Sequence, residues 1–256
     1  MKQSSLEKIY EVERAKWNKL AMESEKDNEL LNSDDDFYNY AERTATMVGV
    51  NEFLGDLKGK RILEYGCGLG EVTSLLAKTT GNVVAFDLSK KSVEVARSRG
   101  SRNKVEDFIT VVVAAGERLP YADESFDVVF GKAILHHIDP DLGCFDLFRV
   151  LRKGGKGVFV EPLGMNPFLR FARAYLPYPN KNPRGADRPL DYKDIQKWGC
   201  RFENFYYKEI QLLSMLERAF GFGKRFHFLR RLDEQLLEHW SYLRRYCRYV
   251  VMYMIK

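Results

Sequence analysis

Apolar residues follow two kinds of spacing along this 256-residue chain. In the opening stretch Leu6, Ile9, Tyr10, Trp17 and Leu20 recur at three- and four-residue steps with Glu13 among them. That is the period of a helix, and it predicts helix over about the first 35 residues. The run Asn32-Ser33-Asp34-Asp35-Asp36 ends it and offers N-cap side chains for a second helix from about Phe37 to Leu54. After the turn Lys58-Gly59-Lys60 the pattern changes to short apolar runs separated by helical stretches. Strands are predicted at Ile62 to Tyr65, Val83 to Phe86, Ile109 to Val113, Phe126 to Phe130 and Gly157 to Val160. Helices are predicted at Glu71 to Lys78, Lys91 to Ser98 and about Asp141 to Leu151. Strands that alternate with helices and are apolar almost throughout pair in parallel and are covered on both faces.

Beyond Glu161 prolines and loop dipeptides interrupt the pattern, notably Pro177-Tyr178-Pro179 and Asn182-Pro183-Arg184-Gly185. Arg201 to Ile210 then reads as a strand, Leu212 to Arg218 and Arg231 to Tyr246 as helices, and Tyr249 to Ile255 as a last strand. The two late strands fit a hairpin added to the sheet edge. The expected fold is α/β, a doubly wound Rossmann-like sheet of seven strands, mainly parallel with an antiparallel last strand. A helical cap over 1–57 precedes a domain over 58–256, in which 162–200 and 211–245 are insertions on the substrate side.

Composition adds limits. At 45% hydrophobic and 30% charged residues the chain is an ordinary globular mixture, not a disordered or fibrous one. The best apolar run, Val250 to Ile255, falls far short of the roughly 18 residues that span a bilayer. The charged opening has no secretory apolar segment, so a cytoplasmic protein is expected. Cys67, Cys144, Cys200 and Cys247 form no C-x-x-C pair and have no histidine at metal-ligand spacing, which points to reduced thiols and no metal site. Charge is unevenly divided. Residues 1–150 carry 20 Lys/Arg against 26 Asp/Glu, and 151–256 carry 21 against 10. The basic half suits an acidic partner: an anionic small molecule, nucleic acid or a membrane surface.

The chemistry concentrates where strands end. Glu64-Tyr65-Gly66-Cys67-Gly68-Leu69-Gly70 turns the first strand into the first sheet helix, with glycines that permit a tight turn and a close ligand. It is neither G-x-G-x-x-G nor a Walker loop, and an acidic Glu64 suits an amino group better than a diphosphate. Asp87 ends the second strand, where a carboxylate can accept both hydroxyls of a ribose. The two together describe a nucleoside with an amino-acid tail. Further along come Leu119-Pro120-Tyr121-x-x-x-Ser125-Phe126-Asp127, Leu135-His136-His137-Ile138-Asp139 and Arg149-Val150-Leu151-Arg152-x-Gly154-Gly155. This ordered set, over about 58–162, resembles the class I S-adenosylmethionine-dependent methyltransferases, in particular the small-molecule subgroup that includes ubiquinone and menaquinone C-methyltransferases.

The resemblance implies S-adenosylmethionine as cofactor, S-adenosylhomocysteine as product and methyl transfer to an O, N or C atom of a small metabolite. It implies that Glu64 lies near the methionine amino group, that Gly66, Cys67, Gly68 and Gly70 form the cofactor turn, and that Asp87 binds the ribose. Leu88 then packs on the adenine, with Gly116 and Glu117 at its edge; the family's polar residue one step earlier is here Ala115. Lys132, His136, His137 and Glu161 fall at the carboxyl edge of the sheet, where open α/β folds bind ligands. His137 or His136 is the candidate base, with Glu161 acting directly or orienting it. Each could equally be a packing or capping residue.

Between 162 and 200, Arg170, Arg173, Lys181, Arg184 and Arg188 interleave with Phe168, Phe171, Tyr175 and Tyr178. An aromatic wall with guanidinium donors beside the acceptor pocket suits a partly apolar, anionic acceptor. Asn166-Pro167-Phe168 is similar to the Asn-Pro-Pro-aromatic motif of base-modifying methyltransferases but follows the wrong strand, which disfavours a nucleic-acid substrate. The stripe Leu232, Leu236, Trp240 and Leu243, flanked by arginines, fits packing on the sheet or peripheral contact with an anionic membrane. The rival functions are an RNA or DNA methyltransferase and a cofactor-binding protein that transfers no methyl group.

Overall fold

The computed structural model describes residues 2–24, 31, 35–176, 188–216 and 227–256. Seven strands form one sheet: β1 (Ile62–Tyr65), β2 (Val83–Asp87), β3 (Ile109–Val113), β4 (Phe126–Lys132), β5 (Leu151–Pro162), β6 (Asn204–Ile210) and β7 (Tyr249–Ile255). Their order is β3-β2-β1-β4-β5-β7-β6. Neighbours from β3 to β5 run parallel, and β7 lies antiparallel between β5 and β6. The expected edge hairpin is therefore present. The strand order reverses between β1 and β4, and a crevice opens at the carboxyl ends of the strands at such a point.

Helices α4 (Glu71–Thr80), α5 (Lys90–Arg102), α6 (Pro140–Val150) and α8 (Tyr192–Gly199) cover the sheet. Alternation along each strand sends neighbours to opposite cores. Leu63, Tyr65 and Phe159 pack with Trp198 and Leu147 on one face, while Ile62, Val158 and Val160 pack with Phe37 and Leu76 on the other. The predicted helix over 37–54 is two: α2 (Phe37–Arg43) and α3 (Val50–Leu54). Thr44 is already extended and Gly49 adopts φ +77°, so the chain turns between them. Both pieces share the core of the sheet through Phe37, Ala41, Val50 and Leu54. β5 starts earlier than predicted, at Leu151, because the Gly154-Gly155 stretch is absorbed as an irregularity in its pairing with β4.

Ahead of these, α1 (Lys2–Ser24) lies across α5. In the C-terminal part, α9 (His227–His239) replaces the longer predicted helix and is followed by a 3₁₀ turn over Ser241–Tyr246. Leu236 and Leu243 of the apolar stripe pack on the core, as does Leu237 beside them, while Trp240 remains half exposed. Buried Asp233 accepts the backbone N–H groups of Leu212, Leu213 and Ser214, tying α9 to the end of β6. Asn166 is no substrate motif here. It caps α7 (Pro167–Tyr175), accepting from the N–H of Phe168 and Leu169 and donating to the Tyr246 carbonyl at 2.6 Å. No helix among the described residues is long and apolar enough to cross a membrane.

Candidate active site

The glycine turn is shaped by what crowds it. Gly66 has φ +75°, and a Cβ there would meet the Ile134 side chain at 2.4 Å. Gly70 has φ +77°, and its Cβ would fall 2.6 Å from Ala96 Cβ. Gly66 thus lets the loop after β4 close over the turn, and Gly70 lets the start of α4 settle on α5. Asp87, at the tip of β2, bridges the two adjacent loops: its carboxylate accepts from Gly68 N and Ser89 N, each at 2.9 Å. Burial raises its pKa, and those two N–H groups hold the rise back. Glu64 projects from β1 and accepts a hydrogen bond from the Thr73 hydroxyl. Burial pushes its carboxyl up to about 8 against that bond, with Asp87 and Glu71 adding to the rise.

Between these groups lies a cavity of about 360 Å³. Glu64, Gly66, Cys67, Gly68, Asp87, Leu88, Gly116, Glu117, Lys132 and His137 all line it, as expected. Gly70, His136 and Glu161 do not. Gly70 serves helix packing. Glu161 is fully buried at the end of β5, where its carboxylate accepts from Ile134 N (2.8 Å) and Leu135 N (2.9 Å) and faces His136 Nδ1 at 2.8 Å. Thus the expected His137–Glu161 pair is in fact a His136–Glu161 pair beneath the cavity. Glu161 holds the loop after β4, and neither it nor His136 lines the cavity. That loop carries strain as well, for Ala133 takes φ +57° and is anchored through its N–H to Val160 O at 2.8 Å. His137 ends the short 3₁₀ turn Leu135–His137; its ring lies against that of His136, with centroids 4.0 Å apart, and lines the cavity.

The roof comes from α1, which the sequence marked as helix and not as part of the site. Tyr10, Glu13 and Trp17 line the cavity. Tyr10 donates to Glu117 Oε2 at 2.7 Å, and Trp17 Nε1 donates to Glu13 Oε2 at 3.0 Å. That same Glu13 oxygen stands 3.4 Å from His137 Nδ1. Asn18 Oδ1 accepts from the Ser89 hydroxyl at 2.7 Å, fixing α1 to the loop after β2. Burial pushes the Glu13 carboxyl up, but the His137 ring, Lys16 and the Trp17 N–H outweigh it and leave the group below the ordinary carboxylate range. Glu117, by contrast, is raised by burial despite the Tyr10 bond. On the far wall Lys132 Nζ donates to the Tyr40 hydroxyl at 2.6 Å. The aromatic and arginine wall expected from 162–200 is absent from the cavity lining: Phe168, Phe171 and Tyr175 face solvent, and Arg188 pairs with Asp191 and Asp194. Tyr178, Lys181 and Arg184 lie outside the described residues.

Residues 63–159 match a family described as a methyltransferase domain. A demethylmenaquinone methyltransferase from Clavibacter sepedonicus is 31% identical over 185 residues, covering 69% of this chain and 71% of that one. The chain belongs to the class I S-adenosylmethionine-dependent methyltransferases. Among solved structures, geranyl diphosphate C-methyltransferase from Streptomyces coelicolor shares the fold of this chain at TM-score 0.60 and 13% identity, covering 85% of this chain and 78% of its own. A demethylmenaquinone methyltransferase from Symbiobacterium thermophilum is 33% identical over 119 residues, 45% of this chain and 47% of that one. The chain spans about a third to a half of the length of several curated relatives it matches.

S-adenosylmethionine is the cofactor of this methyltransferase family, and the donor set fits it. Three acidic groups stand at the glycine turn, buried Glu64 and Asp87 together with exposed Glu71; they suit an ammonium and vicinal hydroxyls and would repel a phosphate. Burial is the main cause of the raised Glu64 carboxyl, and the charged groups acting on it among the described residues are the carboxylates Asp87 and Glu71. The volume is at the low end of small-molecule pockets, roughly 300–1,000 Å³.

Proposed function

We propose that this chain transfers a methyl group from S-adenosylmethionine to an oxygen, nitrogen or carbon atom of a small, partly apolar or anionic molecule. The observation that carries the reading is the meeting of Glu64, Asp87 and His137 on one cavity at the point where the strand order reverses. The cofactor supplies an electrophilic methyl group on a positively charged sulfur. Everything else falls to the chain. Glu64 offers its carboxylate to the ammonium end and Asp87 to the ribose, while the backbone of Gly66, Cys67 and Gly68 lines the turn. Leu88 and Gly116 provide apolar wall, and Glu117 ties that wall to α1 through Tyr10.

His137 is the group suited to hold or take the acceptor's proton, since imidazole titrates near neutral pH. Tyr10 and Trp17 form part of the cavity wall on the α1 side, and alignment of the reacting groups is the main source of rate. The relatives' names include a demethylmenaquinone methyltransferase, a ubiquinone biosynthesis O-methyltransferase and a sarcosine/dimethylglycine N-methyltransferase, so they support small molecules as a class and leave the atom open. The nucleic-acid reading loses its one motif, because Asn166 is a helix cap.

Calorimetric titration with S-adenosylhomocysteine tests the cofactor half of this reading. Asp87→Ala removes charge-assisted hydrogen bonds worth roughly 1.5–3 kcal/mol, so affinity should fall at least ~10-fold. An unchanged affinity would put the cofactor somewhere else. Incubation with S-adenosylmethionine and a panel of quinols, phenols, amines and terpenoid phosphates, read by mass spectrometry, tests the transfer half.

A further inference from the structure

We propose that Glu13, on the N-terminal helix, is a positioning residue that fixes the tautomer of His137 and leaves Nε2 as the proton acceptor of the site. The proposal rests on His137 being the group that meets the methyl acceptor. Glu13 is 5% exposed, an unusual burial for a carboxylate on a cap helix. A buried carboxylate needs donors, and Trp17 Nε1 supplies one at 3.0 Å. The other group against it is His137 Nδ1 at 3.4 Å. That nitrogen is buried and makes no well-aligned hydrogen bond among the described residues. Catalytic hydrogen bonds are often this long before a ligand closes the site.

The chemistry follows from the two inventories. A carboxylate can only accept, and a neutral imidazole carries one N–H and one lone pair. Glu13 opposite Nδ1 therefore selects the Nδ1–H tautomer, and the lone pair resides on Nε2. When the acceptor's proton moves to Nε2, Nδ1 keeps its own, and the imidazolium so formed lies against the Glu13 charge. The charged groups facing this ring are Glu13 from α1, Asp87 from the end of β2, and His136 on its own turn with Glu161 behind it. His136, although its Nδ1 faces Glu161 in the same way, is unsuited to the task because it does not line this cavity. Each of the adjacent histidines thus has its own carboxylate, from β5 for the lower and from α1 for the upper. Glu13 reaches the ring from α1, which is tied down at two places, Tyr10–Glu117 and Asn18–Ser89, so that loss of one tie leaves the pair in place.

The test is ring-nitrogen NMR on full-length protein labelled with ¹⁵N-histidine, at a pH above the imidazole range so that all four histidines are neutral. In the wild type His137 should show a protonated Nδ1 and an unprotonated Nε2. Glu13→Ala should swap the two signals toward the Nε2–H form that predominates in free histidine. Tyr10→Phe, which loosens the same helix without touching Glu13, should keep the wild-type pattern. An Nε2–H tautomer in the wild type overturns the proposal, even if the alanine variant fails to fold. So does an unchanged pattern in Glu13→Ala. No methyl acceptor enters this measurement, so its failure is separable from that of the base assignment, which is tested by the turnover of His137→Ala.

Discussion

The proposed contact between Glu64 and the ammonium end of the cofactor makes binding a proton-linked event. Burial pushes its carboxyl up to about 8, so near pH 6 only roughly one molecule in a hundred carries it ionised, and near pH 8 about half do. An ammonium partner needs the ionised form, and apparent affinity scales with the competent fraction. Affinity for S-adenosylhomocysteine should therefore rise roughly 50-fold from pH 6 to pH 8, about 2.3 kcal/mol. Calorimetry at several pH values, repeated in buffers of different ionisation enthalpy, should also detect about one proton released per ligand near pH 7. Glu64→Gln should remove both the slope and the proton. A wild-type affinity that is flat with pH, or a slope that survives in Glu64→Gln, would refute the reasoning.

The ligand-free protein carries the opposite signature. The native state retains a proton that an unfolded glutamate gives up near its ordinary value of 4.5, so stability should fall as pH rises from there toward about 8. Asp87, also raised by burial, adds a smaller slope of the same sign at lower pH. Glu64→Gln should flatten the larger part of the dependence.

Three further outcomes are expected. His137→Ala should cut turnover ~100-fold or more with little change in S-adenosylhomocysteine affinity, measured by product mass and calorimetry; a modest loss of turnover with a lower Tm would mean that the ring only packs. Glu161→Gln leaves the β4 loop without one of its charged acceptors and should cost about 2–3 kcal/mol in chemical denaturation, so unchanged stability would contradict its anchoring role. Gly70→Ala puts a Cβ into a left-handed turn 2.6 Å from Ala96 Cβ, and the backbone and overlap costs together come to roughly 2–5 kcal/mol; a variant as stable as the wild type would mean α4 and α5 are looser than they look.

Much of this molecule was legible from spacing alone. The five parallel strands, the edge hairpin and the glycine turn follow from short apolar runs punctuated by loop residues, because buried parallel strands leave a near-continuous apolar trace. Glu64 and Asp87 were legible as well, since a strand end at a known place in the order fixes where its side chain emerges. The histidine pairing was not. The rings of the two adjacent histidines lie against each other, and the spacing of His136, His137 and Glu161 does not reveal which of them pairs with the carboxylate at the end of β5. The roof was missed for a related reason. Tyr10, Glu13 and Trp17 sit at three- and four-residue steps, which announces a helix face but not the element it covers. A glutamate on that otherwise apolar face was the available signal. The 162–200 segment misled because aromatics and arginines at helical spacing look alike whether they line a pocket or, as with Phe168 and Phe171 of α7, face solvent.

The central claim is that the cavity over β1, β2 and β4 holds the cofactor. A crystal grown with S-adenosylhomocysteine tests it most directly. The expected density lies under α1, with the ligand's amino group within hydrogen-bond reach of Glu64 and its ribose hydroxyls on Asp87. Density at another place on the molecule, or a ligand in this cavity that touches neither carboxylate, would contradict the account.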